Sequence, residues 1–354
     1  MGAGIIGTSL AIELNKSGLR VLVIDKGQPG RESSWAAGGM LADSLLETRP
    51  QLRELATASA KMYPEFVHEL EDESRMKIDL RGNGTLVLTK SGPGLHLGPA
   101  EIEELAASYP LPQPLEQLEP ALCVPNRGPG THALFLQERS VDPRELIAAT
   151  IAAGRHRGID FSSGNQVVAL ELADGRACGV RTTKTRFAAG IVVNCAGAWS
   201  GEIAPFVIPT RPVKGQMLCV EMPQRELVRH VVRTPDVYLI PRSDGRMLIG
   251  ASQEEAGFDK QAVPEVIQKL RAAAVALVPK LAAARILEAW AGLRPGTPDS
   301  LPILGPTAAS GYFVATGHFR DGILLAPVTA RVMGKMIMGK VPEFDLTAFA
   351  VDRF

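Results

Sequence analysis

The chain has 354 residues, 45% of them apolar, which allows a large core and either two domains or one large one. Its 38 basic and 38 acidic residues cancel, so no overall charge attracts nucleic acid or anionic lipid. The apolar run LIAATIAAG is too short for a membrane span, and the glycine-rich N-terminus lacks the basic flank and apolar run of a signal peptide.

The first predicted elements surround a glycine loop. The chain opens MGAGIIG, which is G-x-G-x-x-G, and residues 8–18 follow with helical spacing that ends on a glycine. LRVLVIDKG then predicts a strand buried on both faces. Such a loop normally joins a buried strand to a helix, yet only Met1 precedes it. We therefore expect about half a dozen apolar residues before Met1 in the natural protein.

The remaining elements alternate between helical and strand patterns. The predicted elements are a helix over 44–74 interrupted near Pro50 and Pro64, hairpin material at 82–94, a helix over 146–159, three strands over 166–200 with a turn at 174–175, a hairpin over 238–252 turning at 244–245, an amphipathic helix over 264–281, and a strand, a loop and a helix over 311–339, the helix from about Gly322.

This order predicts an α/β fold, with a doubly wound Rossmann-like domain built from separated segments and an inserted antiparallel-sheet domain. The first domain is expected at 1–80, 140–205 and 285–354, without a full first strand. The second is expected at 81–139 and 206–284, and we expect it to bind the substrate.

The glycine loop indicates nucleotide binding. Asp25 lies 18 residues after Gly7, where a carboxylate would accept hydrogen bonds from a ribose. Gly2 and Gly4 would let the backbone approach a pyrophosphate, whose charge the helix N-terminus would stabilise. The alternative is a structural turn with a solvated Asp25.

Four further stretches are more specific: ESSWAAGGMLAD, VYLIPRSDGRMLIGAS, WAGLRPGTPDSLPILG and ATGHFRDGILLAPVTA. With the glycine loop they resemble the D-amino acid oxidase family of flavoproteins, most closely its glycine oxidase branch. The resemblance covers nearly the whole chain and is weakest across 85–135. It implies FAD, held noncovalently because GLRPGTPDSLPILG contains no cysteine for a thioether. The cofactor contacts that it implies are Gly2, Gly4, Ile5, Ile6, Gly7, Asp25, Lys26, Ser33, Ser34, Gly38, Gly39, Met40, Val167, Arg294, His318, Phe319, Arg320, Asp321, Gly322, Ile323 and Leu324.

Two of these stretches carry a physical reason for a flavin site. SSWAAGGM is rich in small residues, which suits backbone that passes close to a flat ring. GHFRDGILLAP leads into a helix, whose N-terminus would stabilise the negative charge of a reduced flavin. The alternatives are a plain loop with Ser33 as a helix cap and a surface loop entering a C-terminal helix.

The substrate residues implied by the resemblance are Arg294, Tyr238 and Arg320. Arg294 would bind the substrate carboxylate at two points, helped by the Tyr238 hydroxyl, and Arg320 would line the pocket. A structural ion pair for Arg294 and a plain strand position for Tyr238 remain open. His318 could be mistaken for a general base, and we favour a role in the flavin loop, where its backbone could suffice.

The resemblance implies that no side chain is catalytic, since the flavin N5 accepts the α-hydrogen of a neutral amine as hydride. The expected reaction is oxidative deamination of glycine, sarcosine or small D-amino acids, with oxygen as acceptor, by a homo-oligomer that could serve thiamine biosynthesis. The alternatives are a D-amino acid dehydrogenase with another electron acceptor and a flavin-binding protein without turnover.

The four cysteines, Cys123, Cys178, Cys195 and Cys219, are far apart and show no metal-ligand spacing. We interpret them as reduced and mostly buried, with Cys195 in core packing, which favours the cytoplasm and no metal.

Overall fold

The computed structural model describes residues 1–44, 46, 48–90, 99–123 and 131–354. Within these ranges the helices are α1 (Ile5–Lys16), α2 (Ser33–Ala36), α3 (Arg53–Ser74), α4 (Pro99–Ser108), α5 (Leu115–Leu118), α6 (Pro143–His156), α7 (Pro264–Leu277) and α8 (Ala326–Ile337). The strands are β1 (Leu22–Ile24), β2 (Met40–Leu41), β3 (Leu80–Arg81), β4 (Thr85–Lys90), β5 (Thr131–Leu136), β6 (Arg139–Val141), β7 (Asp160–Ser162), β8 (Val167–Ala173), β9 (Arg176–Thr182), β10 (Arg186–Ala188), β11 (Val192–Asn194), β12 (Arg211–Glu221), β13 (Val231–Arg233), β14 (Tyr238–Pro241), β15 (Arg246–Gly250), β16 (Arg285–Gly296), β17 (Ile303–Pro306) and β18 (Tyr312–Thr316).

The Rossmann-like layer consists of two strand sets with the start of the chain between them. Strands β1 and β7 pair in parallel, as do β11 and β18, and β17 pairs antiparallel with β18. Gly2 N donates to the Ile24 carbonyl and Cys195 N to the Met1 carbonyl, both at 2.8 Å. Met1 and Gly2 therefore lie where the first strand of such a sheet is expected, and helices α1, α3, α6 and α8 pack beside them.

The second layer is a seven-stranded sheet in the order β16-β12-β15-β14-β13-β4-β5. Its pairings are antiparallel except β13 with β4, which run parallel. Along β12 the side chains alternate: Leu218 and Val220 join the cluster under α7, whereas Met217 and Cys219 join the cluster that contacts α2. One face of the sheet thus lies toward the Rossmann-like layer. Strand β16, from the segment expected in the first domain, pairs along β12.

Most predicted elements are present, with four corrections. The region 166–200 contains four strands: β8, β9 and β10 form a meander, and β11 joins the Rossmann-like layer. The hairpin expected at 82–94 is β4 paired with the distant β5, and 91–94 lie outside the described residues. Helix α1 starts at Ile5, and α6 starts at Pro143.

The fourth correction concerns α3, which continues through Pro64. Proline inside a helix removes one hydrogen bond and typically costs about 3 kcal/mol. Tyr63, Val67 and Leu70 on the same helix are buried, and their packing outweighs that cost. No helix in the described ranges is both long and apolar enough to span a membrane.

Asp142 is predicted to be a strong stability determinant. Its carboxylate accepts hydrogen bonds from the amides of Arg144 at 2.9 Å and Glu145 at 3.3 Å, and it pairs with Arg246 at 3.0 Å. Asp142→Ala removes the helix cap and the carboxylate beside the buried Arg242 guanidinium, while Arg246 keeps its pair with Asp244, so we expect a loss of about 3 kcal/mol or more. Asp142→Asn keeps an acceptor for the amides and should lose less. Urea unfolding followed by circular dichroism measures both variants, and equal losses would show that the cap contributes nothing.

Candidate functional site

The glycine loop passes closer to neighbouring backbone than a residue with a side chain could. A Cβ atom at Gly2 would lie 2.3 Å from the Cys195 carbonyl oxygen, and one at Gly7 would lie 2.1 Å from the Gly2 oxygen. Gly2 also has a φ of 98°, in the region that favours glycine. These positions therefore require glycine to bring α1 against the sheet.

Helix α1 begins directly after this loop with amides available to a ligand. Ile5 N donates to Ser34 Oγ at 2.8 Å, and the N-cap Gly4 has no side chain to cap the helix. The amides of Ile6 and Gly7 have no acceptor within the described part of the chain. Free amides at a helix N-terminus attract anions, so this end of α1 suits a phosphate.

Asp25 follows β1 and is held by backbone. Its Oδ2 accepts from Ala3 N and its Oδ1 from Gly27 N, both at 2.8 Å. Each oxygen retains a lone pair for a further donor such as a ribose hydroxyl. Val167, at the start of β8, packs against the cluster that contains Ile24, near the same end of the sheet.

The loop after β15 connects the seven-stranded sheet to this region. Phe258 stacks on Trp199 with ring centroids 5.3 Å apart, and Lys260 pairs with Glu32 at 3.1 Å. Lys26 lies 3.0 Å from the Trp199 ring centroid and 3.5 Å from Glu32. Burial lowers the pKa of Lys26, against the opposing effect of Glu32. The ammonium of this predicted contact residue therefore faces an aromatic ring and a carboxylate.

The small-residue segment of α2 and β2 is fixed by backbone contacts. Ser33 Oγ donates to the Leu293 carbonyl, which joins the segment to β16. Gly39 has a φ of 78°, and a Cβ atom there would lie 2.0 Å from the Val141 oxygen. Met40 opens β2, so residues 38–40 pass between β6 and the larger sheet.

Gly38 lies against one row of side chains on β14. A Cβ atom at Gly38 would lie 2.8 Å from Ile240 Cδ1 and 3.5 Å from Tyr238 Cε2. The next residue in this alternation is Arg242, which is fully buried and donates from Nη2 to the Gly38 carbonyl at 2.6 Å. Its Nε lies 3.9 Å from Asp142 Oδ2. Burial lowers the pKa of Arg242, and Asp142 opposes that shift.

The loop after β18 presents three amides in a row. The N–H groups of Gly322, Ile323 and Leu324 have no protein acceptor among the described residues. Ile323 and Leu324 are buried. The sequence predicted a helix from about Gly322, but α8 begins at Ala326. The intervening residues form a turn closed by Leu325 N donating to the Asp321 carbonyl at 2.8 Å, which leaves the three amides free.

The carbonyls of the same turn are held by α3. Ser59 Oγ donates to the Leu324 carbonyl at 2.6 Å, and the Tyr63 hydroxyl donates to the Ile323 carbonyl. Both side chains are completely buried. The carbonyls of Ile323 and Leu324 therefore accept hydrogen bonds from the protein. The amides of Gly322, Ile323 and Leu324 have no acceptor among the described residues.

His318 is buried in the same loop as a neutral side chain. Its Nε2 lies 3.1 Å from Thr329 Oγ1 of α8, and burial lowers its pKa to about 3. Phe319 N donates to the Pro295 carbonyl at 3.1 Å, which joins the loop to β16. His318 therefore orients the loop and is not set up to carry a proton near neutral pH.

Arg294 projects from β16 into space left by a glycine. A Cβ atom at Gly215 would lie 2.3 Å from Arg294 Nη1, and that nitrogen donates to the Ser252 carbonyl at 3.1 Å. No carboxylate of the described residues forms an ion pair with the guanidinium. Glu254 acts on it only through its charge, because its oxygens accept hydrogen bonds from Gln216 Nε2 and Ser252 Oγ. The group thus retains donors for an anion that the protein does not supply.

Tyr238 and Arg320 lie beside Arg294. The Tyr238 hydroxyl is within hydrogen-bonding range of the guanidinium, and Gly250, directly opposite on β15, leaves room for its ring. Burial lowers the pKa of Arg294; Tyr238 opposes this and the charge of Arg320 adds to it. Arg320 Nη2 donates to Gln253 Oε1 at 2.6 Å. The three predicted substrate residues therefore converge.

The cysteines match only part of their prediction. Cys123 and Cys178 are exposed, whereas Cys219 is buried and Cys195 is half-buried. Burial raises the pKa of both Cys195 and Cys219 to about 11, so these thiols are poor nucleophiles near neutral pH. The described residues contain no group of three or more His, Cys, Asp and Glu side chains placed to hold a metal ion.

Sequence reasoning missed the residues that support the site from a distance. Two of them, Ser59 and Tyr63, lie in the amphipathic helix α3. Arg242 lies in the hairpin turn between β14 and β15, and Trp199 lies in a short segment after β11. The one available signal was the arginine after Ile-Pro in VYLIPRSDGR, an uncommon charge beside an apolar strand.

Comparisons with known proteins agree with this geometry. A family model described as DAO, FAD dependent oxidoreductase, matches residues 1–336. A glycine oxidase from Pseudomonas aeruginosa is 33% identical over 362 residues, covering 99% of this chain and 97% of the relative. A bifunctional protein ThiO/ThiG from Trichormus variabilis is 32% identical, covering 100% of this chain and 54% of that protein. The crystal structure of glycine oxidase from Geobacillus kaustophilus is similar with a TM-score of 0.90 and 29% identity, covering 100% and 97% of the two chains.

His318 is predicted to make stability depend on pH. The folded pKa of about 3 lies below the ordinary value of 6.5, so the unfolded chain binds a proton more readily between these values. Stability should fall as pH drops below 6.5, by about 2 kcal/mol between pH 7 and pH 5. Urea unfolding of His318→Asn should lack this part of the pH dependence. His68→Asn, at an exposed position, is the control, and identical pH dependence in the wild type and His318→Asn would contradict the assignment.

Proposed function

Because this chain belongs to the DAO family of FAD-dependent oxidoreductases, we propose that it oxidises glycine and related small amines, with oxygen as the electron acceptor. The reaction consumes glycine, oxygen and water and releases glyoxylate, ammonia and hydrogen peroxide. Sarcosine and small D-amino acids are the other proposed substrates. We propose a cytoplasmic homo-oligomer whose reaction serves the thiazole branch of thiamine biosynthesis, in keeping with the similarity to the ThiO/ThiG protein.

The residues present fit FAD. The free amides at the start of α1 suit its pyrophosphate, and Asp25 suits its ribose. The free amides of Gly322, Ile323 and Leu324 suit the polar edge of the flavin, where negative charge accumulates on reduction. When bound, FAD supplies the acceptor for the two electrons and the α-hydrogen of the amine. The cofactor is noncovalent in this proposal.

The substrate proposal rests on one observation: the Arg294 guanidinium donates to the Ser252 carbonyl, and Glu254 acts on it through its charge without a direct ion pair in the described chain. Guanidinium geometry favours a two-point contact with a carboxylate. The adjacent Tyr238 hydroxyl, which donates to Met217 Sδ at 3.6 Å, is the neighbouring group that we propose helps to hold that carboxylate. A protein that only bound flavin would have no use for such a clamp. An amino acid held by its carboxylate would place its α-carbon at a fixed position in the site.

The protein's own contribution to the reaction is positional. Burial lowers the pKa of His318 to about 3 and its Nε2 contacts Thr329 Oγ1, so it is too weak a base to serve as a general base. Arg294 and Tyr238 bind and orient the carboxylate, and Arg320 adds positive charge at the edge of the pocket. Because no side chain removes a proton from the substrate, the substrate amine has to be neutral. Turnover should therefore rise as the pH approaches the pKa of that amine.

An anaerobic absorbance spectrum tests cofactor and substrate together. Purified protein should be yellow and should bleach when glycine is added, because the amine reduces the bound flavin. Readmitting air should restore the colour; failure to reoxidise would favour a dehydrogenase with another acceptor. Protein that stays yellow with glycine, sarcosine and small D-amino acids would overturn the proposed reaction.

Arg294 is predicted to control substrate binding and not FAD retention. Arg294→Ala removes a charge-assisted pair worth about 2–5 kcal/mol, so kcat/KM for glycine should fall tens- to thousands-fold, chiefly through KM. Arg294→Lys should recover part of the loss, since an ammonium keeps the charge without the two-point geometry. Steady-state kinetics and flavin content measure the two effects. Unchanged kcat/KM in Arg294→Ala would show that another residue binds the carboxylate.

A further inference from the structure

Two side chains on α3 reach the turn before α8 and contact adjacent peptides. Ser59 and Tyr63 are four residues apart, so they lie one above the other on the same helix face. Ser59 donates to the Leu324 carbonyl and Tyr63 to the Ile323 carbonyl. They are separated from these partners by 265 and 260 residues of sequence, so the contacts are tertiary.

Each contact fixes the direction of a different amide. The carbonyl and the N–H of one trans peptide point in opposite directions. The Ile323 carbonyl accepts from the Tyr63 hydroxyl and also from Ala326 N at 3.2 Å. The hydroxyl holds this carbonyl toward α3, which directs the Leu324 N–H away from α3. Holding the Leu324 carbonyl directs the Leu325 N–H, which already donates to the Asp321 carbonyl at 2.8 Å. Tyr63 thus controls a free amide and Ser59 controls an occupied one.

The free amide is an independent sign of a ligand. Leu324 is buried, with 2% of its surface exposed, yet its N–H has no acceptor among the described residues. A buried unsatisfied donor costs about 1–3 kcal/mol, so such a group is usually completed by a bound molecule. His318 and Thr329 hold the other end of the same loop, which keeps the turn from rotating to satisfy the amide internally.

We propose that Tyr63 is a positioning residue that aims the Leu324 amide at the polar edge of the flavin and thereby stabilises its reduced, negatively charged form. The inference rests on the proposed placement of FAD over this turn. Tyr63 does not contact the reacting atoms; it acts through the peptide between Ile323 and Leu324. Since burial raises the pKa of Tyr63, its hydroxyl remains a neutral donor over the working pH range.

Tyr63→Phe is a clean test because it removes the hydroxyl and keeps the ring, which packs edge-on against Phe66. Ser59→Ala is the control: it removes a buried hydrogen bond to the same turn, and the longer 3.4 Å contact from Val328 N, but the amide it affects is occupied. It should lose at least as much stability as Tyr63→Phe in urea unfolding. A purely structural role for Tyr63 therefore predicts that Ser59→Ala disturbs the flavin at least as much as Tyr63→Phe does.

Sulfite is the probe, because it adds reversibly to oxidised flavin and leaves negative charge on the ring without turnover. The dissociation constant for sulfite, read from bleaching of the holoenzyme, should rise about tenfold in Tyr63→Phe and change less than twofold in Ser59→Ala. The flavin midpoint potential should fall in Tyr63→Phe alone. An unchanged sulfite constant in Tyr63→Phe, or equal shifts in both variants, would overturn the proposal. Because sulfite binding needs no substrate, this result is separate from whether glycine is oxidised.

Discussion

The contact between Gly38 and β14 joins the two layers of the molecule, and the arrangement of the site depends on it. The backbone at Gly38 lies against Tyr238 and Ile240, and the next residue in the alternation, Arg242, holds the Gly38 carbonyl. A strand is a regular spacer, with side chains on one face about 7 Å apart. One piece of backbone therefore places both Tyr238, which we propose binds the substrate, and Arg242, which fixes the small-residue segment.

Charge is distributed in the site so that the reacting region needs no titrating protein group. His318 is neutral because it is buried, and Cys195 stays protonated for the same reason. The positive charges of Arg294 and Arg320 act against each other, and the charge of Glu254 partly offsets this effect. In the proposed function this local positive charge favours binding of a substrate carboxylate.

The sequence predicted the parts of this site that depend on local signals. Left-handed backbone conformations and very close backbone contacts favour glycine, so MGAGIIG and the hairpin turn at 244–245 could be predicted directly from the sequence. Helix starts were less readable: α8 begins four residues after the predicted Gly322 because the turn before it is held by α3. Likewise α3 passes through Pro64 because tertiary packing outweighs the local preference of proline.

The supporting residues could not be read from sequence, because their roles arise only from contacts across the fold. Tyr63 and Arg242 contact backbone 260 and 204 residues away in sequence. Nothing in the sequence around Tyr63 marks it, and Arg242 is marked only as a charge that follows an apolar strand. The same holds for Phe258 and Trp199, which come from different layers. Family resemblance supplied residues expected to touch the ligands, whereas the structure was needed to find those that hold them in place.

Arg294 and Tyr238, which we propose bind the substrate, each lie against a position that has no side chain. Gly215 leaves the volume that the Arg294 guanidinium occupies, and Gly250 leaves the volume under the Tyr238 ring. The shape of the pocket therefore depends on the absence of side chains at these two glycines as well as on the polar groups. A methyl group at either glycine would displace the polar group opposite. Changing only the polar side chains would leave the space set by the glycines unchanged. A redesign of substrate preference therefore has to change each glycine together with the side chain that it faces.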